Sequence, residues 1–168
     1  MQEKVTLLLE KIEHAQLVLV GIGEAFASGK SLAYVEAAYH NLANMLEGKN
    51  YFVITTCTDR KIESAGLKKE RVVCPLLEEN DQEKETVWDI YLKWLQGTLH
   101  KKLLVLELGV GLVYPNLIRF PFEKTVFYNQ KAELVRVHDK LFQLPVELKG
   151  RGISVEEDAV RLLAFVEN

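Results

Sequence analysis

The stretch Leu17-Val18-Leu19-Val20-Gly21-Ile22-Gly23 decides the fold class. Four apolar residues in succession, closed by glycine, are typical of a strand that is buried on both faces, as in a parallel sheet. Apolar residues recur at helical spacing over residues 3–13 before it and over residues 31–47 after it, and Gly48 ends the second helix. The order helix, strand, helix indicates an α/β fold.

Further apolar runs continue this alternation along the chain. Strands are predicted at residues 51–56, 71–74, 103–108, 125–128 and, more weakly, 133–137, and helices at residues 60–65, around 88–95 and at 156–166. We therefore predict an α/β three-layer sandwich with a mostly parallel, Rossmann-like sheet and right-handed crossovers. The whole chain, residues 1–168, is expected to form one domain.

Composition excludes several classes of protein. With 168 residues the chain fits one domain, and its net charge of −3 offers no basic excess for broad nucleic-acid binding. Its two cysteines, Cys57 and Cys74, are too few for a four-ligand zinc site. The apolar runs are far shorter than the ~20 residues that span a bilayer, and no export signal is recognisable. We expect a soluble, cytoplasmic protein without a membrane partner.

Ligands of open parallel sheets bind beyond the carboxyl ends of the strands. In the predicted topology, five segments follow strands and are expected to converge on one rim. These segments are residues 21–29, 55–59, 74–75, 109–115 and 128–130.

The glycines of the first segment suggest a phosphate site. Gly21 and Gly23 stand between a strand and a helix, where glycine lets the backbone approach a pyrophosphate. Phe26 replaces the third glycine of the dinucleotide fingerprint, so a simple tight turn explains the pair equally well. Residues 28–31 (Ser-Gly-Lys-Ser) are similar to the end of a P-loop, but Glu24 replaces its leading glycine, which excludes a P-loop NTPase.

Five segments, taken in order, resemble the sirtuin family. GIGEAFASG at residues 21–29 is similar to the sirtuin Gly-Ala-Gly loop, and ITTCTD at residues 54–59 is similar to the Thr-Gln-Asn-x-Asp segment. LELGVGLVYP at residues 106–115 resembles the Gly-Thr-Ser…Val-x-Pro stretch. VFYN at residues 126–129 resembles the strand that ends in an adenosine-contacting asparagine, and Asp158-Ala159 resembles the closing Gly-Asp-Ala.

The resemblance implies a sirtuin-like fold that binds NAD or ADP-ribose, with a role for each matching position. Ser28 would donate to a phosphate or cap the following helix. Gly21, Gly23 and Ala25 would face the pyrophosphate. Thr55 and Asp59 would lie beside the nicotinamide ribose, and Gly109, Val110 and Asn129 would hold the adenosine half.

The departures from the family predict that NAD-dependent deacylase chemistry is weak or lost. Cys57 replaces the catalytic-segment asparagine, and residues 73–76 (Val-Cys-Pro-Leu) lack the histidine base, whose help is worth ~10²–10⁴ in rate. The Cys-x-x-Cys pairs of the zinc module are absent, and a short helical insertion at residues 76–101 stands in their place, so no zinc is expected. The nearest catalytic candidates are Cys57 and Asp59.

Two alternatives stay open. One is a residual NAD-consuming enzyme, either an ADP-ribosyltransferase or an NAD glycohydrolase. The other is a non-enzymatic interaction protein with an empty cleft, in which the helix at residues 87–96 contacts a protein partner or a second copy of the chain. Cys57 and Cys74 are either a reactive pair or small buried hydrophobes.

Overall fold

The computed structural model describes residues 1–27, 29–78 and 85–166. In that part of the chain one sheet contains β1 (Leu17–Ile22), β2 (Asn50–Thr55), β3 (Val72–Val73), β4 (Leu103–Leu108), β5 (Glu133–His138) and β6 (Gly152–Glu156). The strand order is β3-β2-β1-β4-β5-β6, and every neighbouring pair is parallel. This is the strand order of the doubly wound Rossmann fold, so the predicted α/β class is confirmed.

Five α-helices cover the two faces of the sheet in the described residues. They are α1 (Gln2–His14), α2 (Leu32–Met45), α3 (Val87–Gln96), α4 (Arg119–Tyr128) and α5 (Ala159–Ala164). Side chains of α1, α2 and α5 pack in one core cluster, and those of α3 and α4 pack in the other. None of these helices has the length and apolarity needed to cross a membrane.

The alternation of side chains along β1 divides it between the two cores. Val18, Val20 and Ile22 belong to the core beneath α1, α2 and α5, and Leu17 and Leu19 belong to the core beneath α3 and α4. Every residue of β1 is buried. The unbroken apolar run is therefore explained by burial on both faces.

The strand predicted at residues 125–128 is wrong, because this segment is the last turn of α4. Phe122 and Val126 lie four residues apart, on the same side of the helix, and both are fully buried. Gly21 makes room for this helix: a Cβ on Gly21 would lie 2.5 Å from Ile118 and 2.6 Å from Phe122. Close packing of α4 on β1 thus overrides the local β-propensity of aromatic and β-branched residues.

The chain end also differs from the prediction, which extended one helix over residues 156–166. Gly152–Glu156 forms the edge strand β6, and α5 begins only at Ala159. Asp158 sets this start, because its carboxylate accepts hydrogen bonds from the amides of Val160 and Arg161.

The helix predicted around residues 88–95 is confirmed as α3, which opens with a capping box between Thr86 and Asp89. Tyr91 is buried, and its ring and that of Trp94 pack on Phe52 of β2 at centroid distances of 5.5 and 5.4 Å. The inner face of α3 is therefore core. The prediction that residues 76–101 are an insertion within a single domain stays a prediction.

Candidate functional site

The candidate site lies at the carboxyl ends of β1 and β4, the central strands of the sheet. From β1 the chain crosses to β2 on one side, and from β4 it crosses to β5 on the other, so the strand order reverses between them. Such a switch point leaves a crevice between the two departing loops, where doubly wound proteins bind ligands.

Two glycines bring the loops after β1 and β4 into direct contact. A Cβ on Gly23 would overlap the carbonyl oxygen of Gly109 and the Cα of Val110. Gly109 has a φ of +61°, and a Cβ there would lie 2.5 Å from the Cβ of Ala25. Only glycine fits this pair of positions, which explains why both loops begin with it.

The amides after β1 are engaged within the protein. Gly23 donates to the carbonyl of Leu108 at 3.0 Å, and Ala25 donates to the carbonyl of Gly109 at 3.2 Å. The Phe26 amide donates back to Gly23 at 3.2 Å. Amides for a diphosphate at this loop therefore become available only if the loop moves or the ligand uses neighbouring donors.

Gly21, which was predicted to face a pyrophosphate, does not lie in the crevice. It is the fifth residue of β1 and is covered by Ile118 and Phe122. Its role is to admit α4. Gly23, Ala25, Gly109 and Val110 do lie at the predicted rim.

On the β2 side, the predicted residues are less available to a ligand. Thr55 is fully buried, and its Oγ1 accepts the Cys57 amide at 3.0 Å. The Cys57 thiol donates to the Gly23 carbonyl at 3.3 Å, and burial raises its pKa above the ordinary value. Asp59 caps the amide of Lys61 at 3.2 Å. The buried Cys57 is thus a protonated thiol that tethers β2 to the loop after β1, and not an activated nucleophile.

A cavity of about 320 Å³ opens beside Cys57 at the edge strand β3. Cys74 also lines it, and its thiol donates to the Cys57 carbonyl at 3.3 Å. Burial raises the pKa of Cys74 as well. Both thiols are therefore hydrogen-bonded donors at neutral pH.

Asn129 lies at the opposite edge of the sheet, so its predicted contact with adenosine is wrong. It follows α4, is buried, and donates to the carbonyls of Thr98 and Lys101 at 3.0 and 3.3 Å, just before β4 begins. Residues 128–130 accordingly do not join the rim. The error follows directly from taking the last turn of α4 for a strand.

The residue of β5 that reaches the rim is His138, the last residue of that strand. Its Nδ1 accepts the amides of Lys140 and Leu141 at 3.0 and 2.9 Å. The Asp139 carboxylate lies 3.0 Å from the same nitrogen, but the two amide hydrogens assign Nδ1 as an acceptor. Burial lowers the pKa of His138; the Asp139 carboxylate opposes this shift and Arg119 adds to it, so the pKa is lowered overall. The ring is therefore neutral, with its proton on Nε2.

Sequence reasoning missed His138 because it placed the end of the relevant strand at Asn129. The weaker apolar run at residues 133–137 was the available signal. The amide of Gly109 donates to Val137 at 2.9 Å, which brings the end of β5 against the loop after β4.

The start of α5 completes the rim. Ala159 packs close to Gly109, since a Cβ on Gly109 would lie 3.7 Å from that of Ala159. Asp158 forms an ion pair with Lys30, which stands just before α2. Ser31, the N-cap of α2, makes no side-chain cap, so the first amides of α2 lack that acceptor. Ser28 lies outside the described residues.

A cavity of about 350 Å³ extends from this rim. It is lined by two cations, two aromatic rings and the start of α5: Lys30, Arg161, Tyr34, Phe165, Asp158 and Val160. The rings of Tyr34 and Phe165 lie 5.8 Å apart.

A buried charge network underlies the loops after β4 and β5. Arg136 of β5 donates to Glu107 of β4 at 2.7 Å and to Glu123 at 2.8 Å. Arg119 donates to the carbonyls of Val110 and Leu141 at 3.0 and 2.6 Å. The arginines thus hydrogen-bond to the backbone of the loops after β4 and β5. No group of three or more His, Cys, Asp or Glu among the described side chains is arranged to hold a metal ion.

Comparison with solved structures identifies the fold. A Sir2 structure with a p53 peptide and NAD⁺ superposes with a TM-score of 0.60 at 14% identity, covering 95% of this chain and 95% of that chain. A Sir2 mutant with a p53 peptide and NAD gives 0.62 at 15% identity, with 95% of each chain covered. A Sir2 complex with the inhibitor EX-527, 2′-O-acetyl-ADP-ribose and a deacetylated p53 peptide gives 0.56 at 16% identity, covering 97% and 96%.

The chain therefore has the sirtuin-like α/β fold that its sequence predicted. No family model matches it. In sequence, 73 residues are 27% identical to a protein ADP-ribosyltransferase of Staphylococcus aureus (strain Mu50 / ATCC 700699). The match covers 44% of this chain but only 23% of that protein, so the matched stretch spans less than a quarter of that relative's length.

Proposed function

We propose that this protein binds NAD or ADP-ribose in the crevice between β1 and β4, with weak or lost deacylase chemistry. The observation that carries this proposal is the contact between Gly23 and Gly109 at the switch point of a sirtuin-like sheet. This contact fixes the crevice at the switch point, and a diphosphate there would take its donors from the first amides of α2, because the amides of Gly23 and Ala25 are already engaged. The NAD and acetyl-ADP-ribose held by the Sir2 structures described above add support.

Within this proposal the ligand spans the rim from β2 to α5. The diphosphate lies against Gly23, Ala25 and the first amides of α2, where the helix dipole favours negative charge. The adenosine half lies against Gly109, with Ala159 and His138 beside it in place of Asn129. Thr55 and Asp59 shape the nicotinamide-ribose side, and Ser28 keeps its proposed role at a phosphate.

The histidines support the proposal that deacylation is weak. His14 and His100 precede β1 and β4, at the amino edge of the sheet, and His40 is exposed on α2. His138 reaches the rim, but its Nδ1 already accepts two amide hydrogens and its Nε2 carries the proton. A ring in this state donates a hydrogen bond and offers no free nitrogen as a general base.

Calorimetric titration of the full chain with NAD and with ADP-ribose, combined with measurement of nicotinamide release, tests the proposal. We expect saturable binding of at least one nucleotide and slow or undetectable nicotinamide release. Release at ordinary enzyme rates would show a working NAD-consuming enzyme and contradict the proposed loss of chemistry. Absence of binding at millimolar nucleotide would contradict the site itself.

A matched pair of glycine variants locates the binding site. Gly109→Ala adds a Cβ 2.5 Å from Ala25 and forces the two loops apart, so we expect it to lose nucleotide binding. Gly48→Ala is the control, because Gly48 also has a positive φ, +75°, but faces open space far from the rim. Equal affinities in the two variants would place the nucleotide elsewhere.

A further inference from the structure

An acidic side chain stands inside the proposed nucleotide crevice. Glu24 follows Gly23 in the loop after β1, and its Oε1 lies over Gly111, where a Cβ would overlap it. The same oxygen accepts a long hydrogen bond of 3.5 Å from the Val113 amide. Glu24 thus bridges the loops after β1 and β4 across the crevice.

Glu24 differs from those acidic side chains near the rim that have a cationic partner in the described part of the chain. Asp158 forms an ion pair with Lys30, and Asp59 lies 3.7 Å from Lys61. Glu107 and Glu123 bind the buried Arg136. Among the residues that the structure describes, Glu24 has no ion-pair partner within 4.0 Å; its polar contact is a neutral amide.

The negative charge of Glu24 in the crevice affects the binding of diphosphates and of nucleosides differently. A diphosphate brings negative charge into a half-buried crevice, where Coulomb repulsion is screened less than in bulk water. A nucleoside carries no phosphate and has hydroxyl donors that a carboxylate accepts. Repulsion of the wrong ligand is an ordinary route to specificity.

We infer that Glu24 is a specificity-determining residue of the proposed nucleotide site, which weakens the binding of diphosphate-bearing ligands relative to nucleosides. The inference rests on the proposed function. The affinity for a dinucleotide is then lowered, either by repulsion from Glu24 or because Glu24 must move away from Gly111.

Glu24→Gln tests this directly, because glutamine keeps the oxygen that accepts the Val113 amide and removes only the charge. We expect the affinity for ADP-ribose to rise about tenfold, with little change for adenosine, in calorimetric titrations of the full chain. The gain should shrink as sodium chloride is raised. Glu36→Gln, on the exposed side of α2, removes one charge outside the crevice and should leave both affinities unchanged.

The outcomes separate the inference from the proposed function. If the wild-type protein and E24Q both fail to bind ADP-ribose and NAD at millimolar concentration, the proposed function is wrong. If both proteins bind ADP-ribose with equal affinity, or if E24Q changes ADP-ribose and adenosine binding equally, the site stands and the role of Glu24 is wrong. An equal gain in E36Q would show an effect of net charge alone and would also contradict the inference.

Discussion

Two backbone amides decide the protonation state of His138. Both donate to Nδ1, which leaves no lone pair there for a proton. In the protonated ring, Nδ1 would carry a hydrogen that faces the two amide hydrogens. The neutral form is therefore favoured in the folded protein. Burial of the ring lowers its pKa in the same direction. The residue that reaches the rim from β5 is consequently a neutral hydrogen-bond donor.

His138→Asn should make the stability of the protein less sensitive to pH between about 7.5 and 5.5. In the unfolded chain this histidine titrates near 6.5, and in the folded protein its pKa is lower, so the unfolded state binds a proton first. Stability therefore falls as the pH drops through 6.5, by about 1.4 kcal/mol for each unit of pKa difference. The asparagine Oδ1 still accepts the two amides but does not titrate.

Urea unfolding at pH 7.5 and 5.5, on both proteins, measures this difference. His14, His40 and His100 are present in both and cancel from the comparison. Burial raises the pKa of the Asp158 carboxyl, and Lys30 lowers it; the pKa is lowered overall. Asp158 therefore changes the pH dependence of stability only in more acidic solution. Equal pH dependence in the two proteins would show that His138 is not buried in its neutral form.

At the scale of elements, β4 and β5 are joined by a buried charge pair as well as by their backbones. Glu107 and Arg136 are register partners, and each side chain is only 1% exposed. Arg136 also donates to the Gln143 carbonyl at 2.8 Å, in the segment that follows β5. The pair therefore couples the sheet to the loops that form the rim.

Arg136→Met should destabilise the protein by about 3–5 kcal/mol, because it leaves the Glu107 carboxylate buried without its partner. The double variant Glu107→Leu/Arg136→Met replaces the pair by apolar side chains and should recover most of that loss. Chemical denaturation of the three proteins measures both steps. A single variant that loses less than about 1 kcal/mol would show that water or Arg119 compensates the charge.

The sequence predicted the central elements because their signals are local. Leu17–Ile22 and Leu103–Leu108 are buried throughout, so continuous apolar runs mark them directly. The edge strand β6 was missed because burial there is partial: Val155 is buried, whereas Ser154 and Glu156 are exposed. A half-buried edge leaves too few apolar residues for a periodic signal.

The candidate site was predicted where it depends on chain order and missed where it depends on packing. Gly23 and Gly109 follow unmistakable strands, so topology alone places them together at the rim. Gly21 was misplaced because its function is contact with Ile118 and Phe122, which are distant in sequence. Ile118 and Phe122 lie at the start of α4, which occupies residues 119–128, where the sequence predicted a strand. The strand that reaches the rim therefore ends at His138 and not at Asn129.

At the scale of the whole molecule, the sheet and α3 share one packing arrangement. The indole of Trp94 donates to Asn50 at the start of β2 at 2.8 Å, and Phe52 packs on Tyr91 and Trp94. In the same core, Phe52 lies with Leu19 of β1 and Leu103 of β4. Shared contacts of this kind predict that α3 and the central strands unfold together, as one domain.

Tryptophan fluorescence is a direct test, because the protein has two tryptophans and both, Trp88 and Trp94, lie on α3. Fluorescence therefore reports α3, whereas far-ultraviolet circular dichroism reports the helices and strands of the whole chain. We expect the two urea-unfolding curves to coincide, with one midpoint and one slope. Trp94→Phe, which keeps an aromatic ring on Phe52 but loses the hydrogen bond to Asn50, should shift both curves by the same amount, about 1 kcal/mol. A fluorescence transition that precedes the loss of secondary structure would instead show that α3 unfolds on its own and that the chain is not a single cooperative domain.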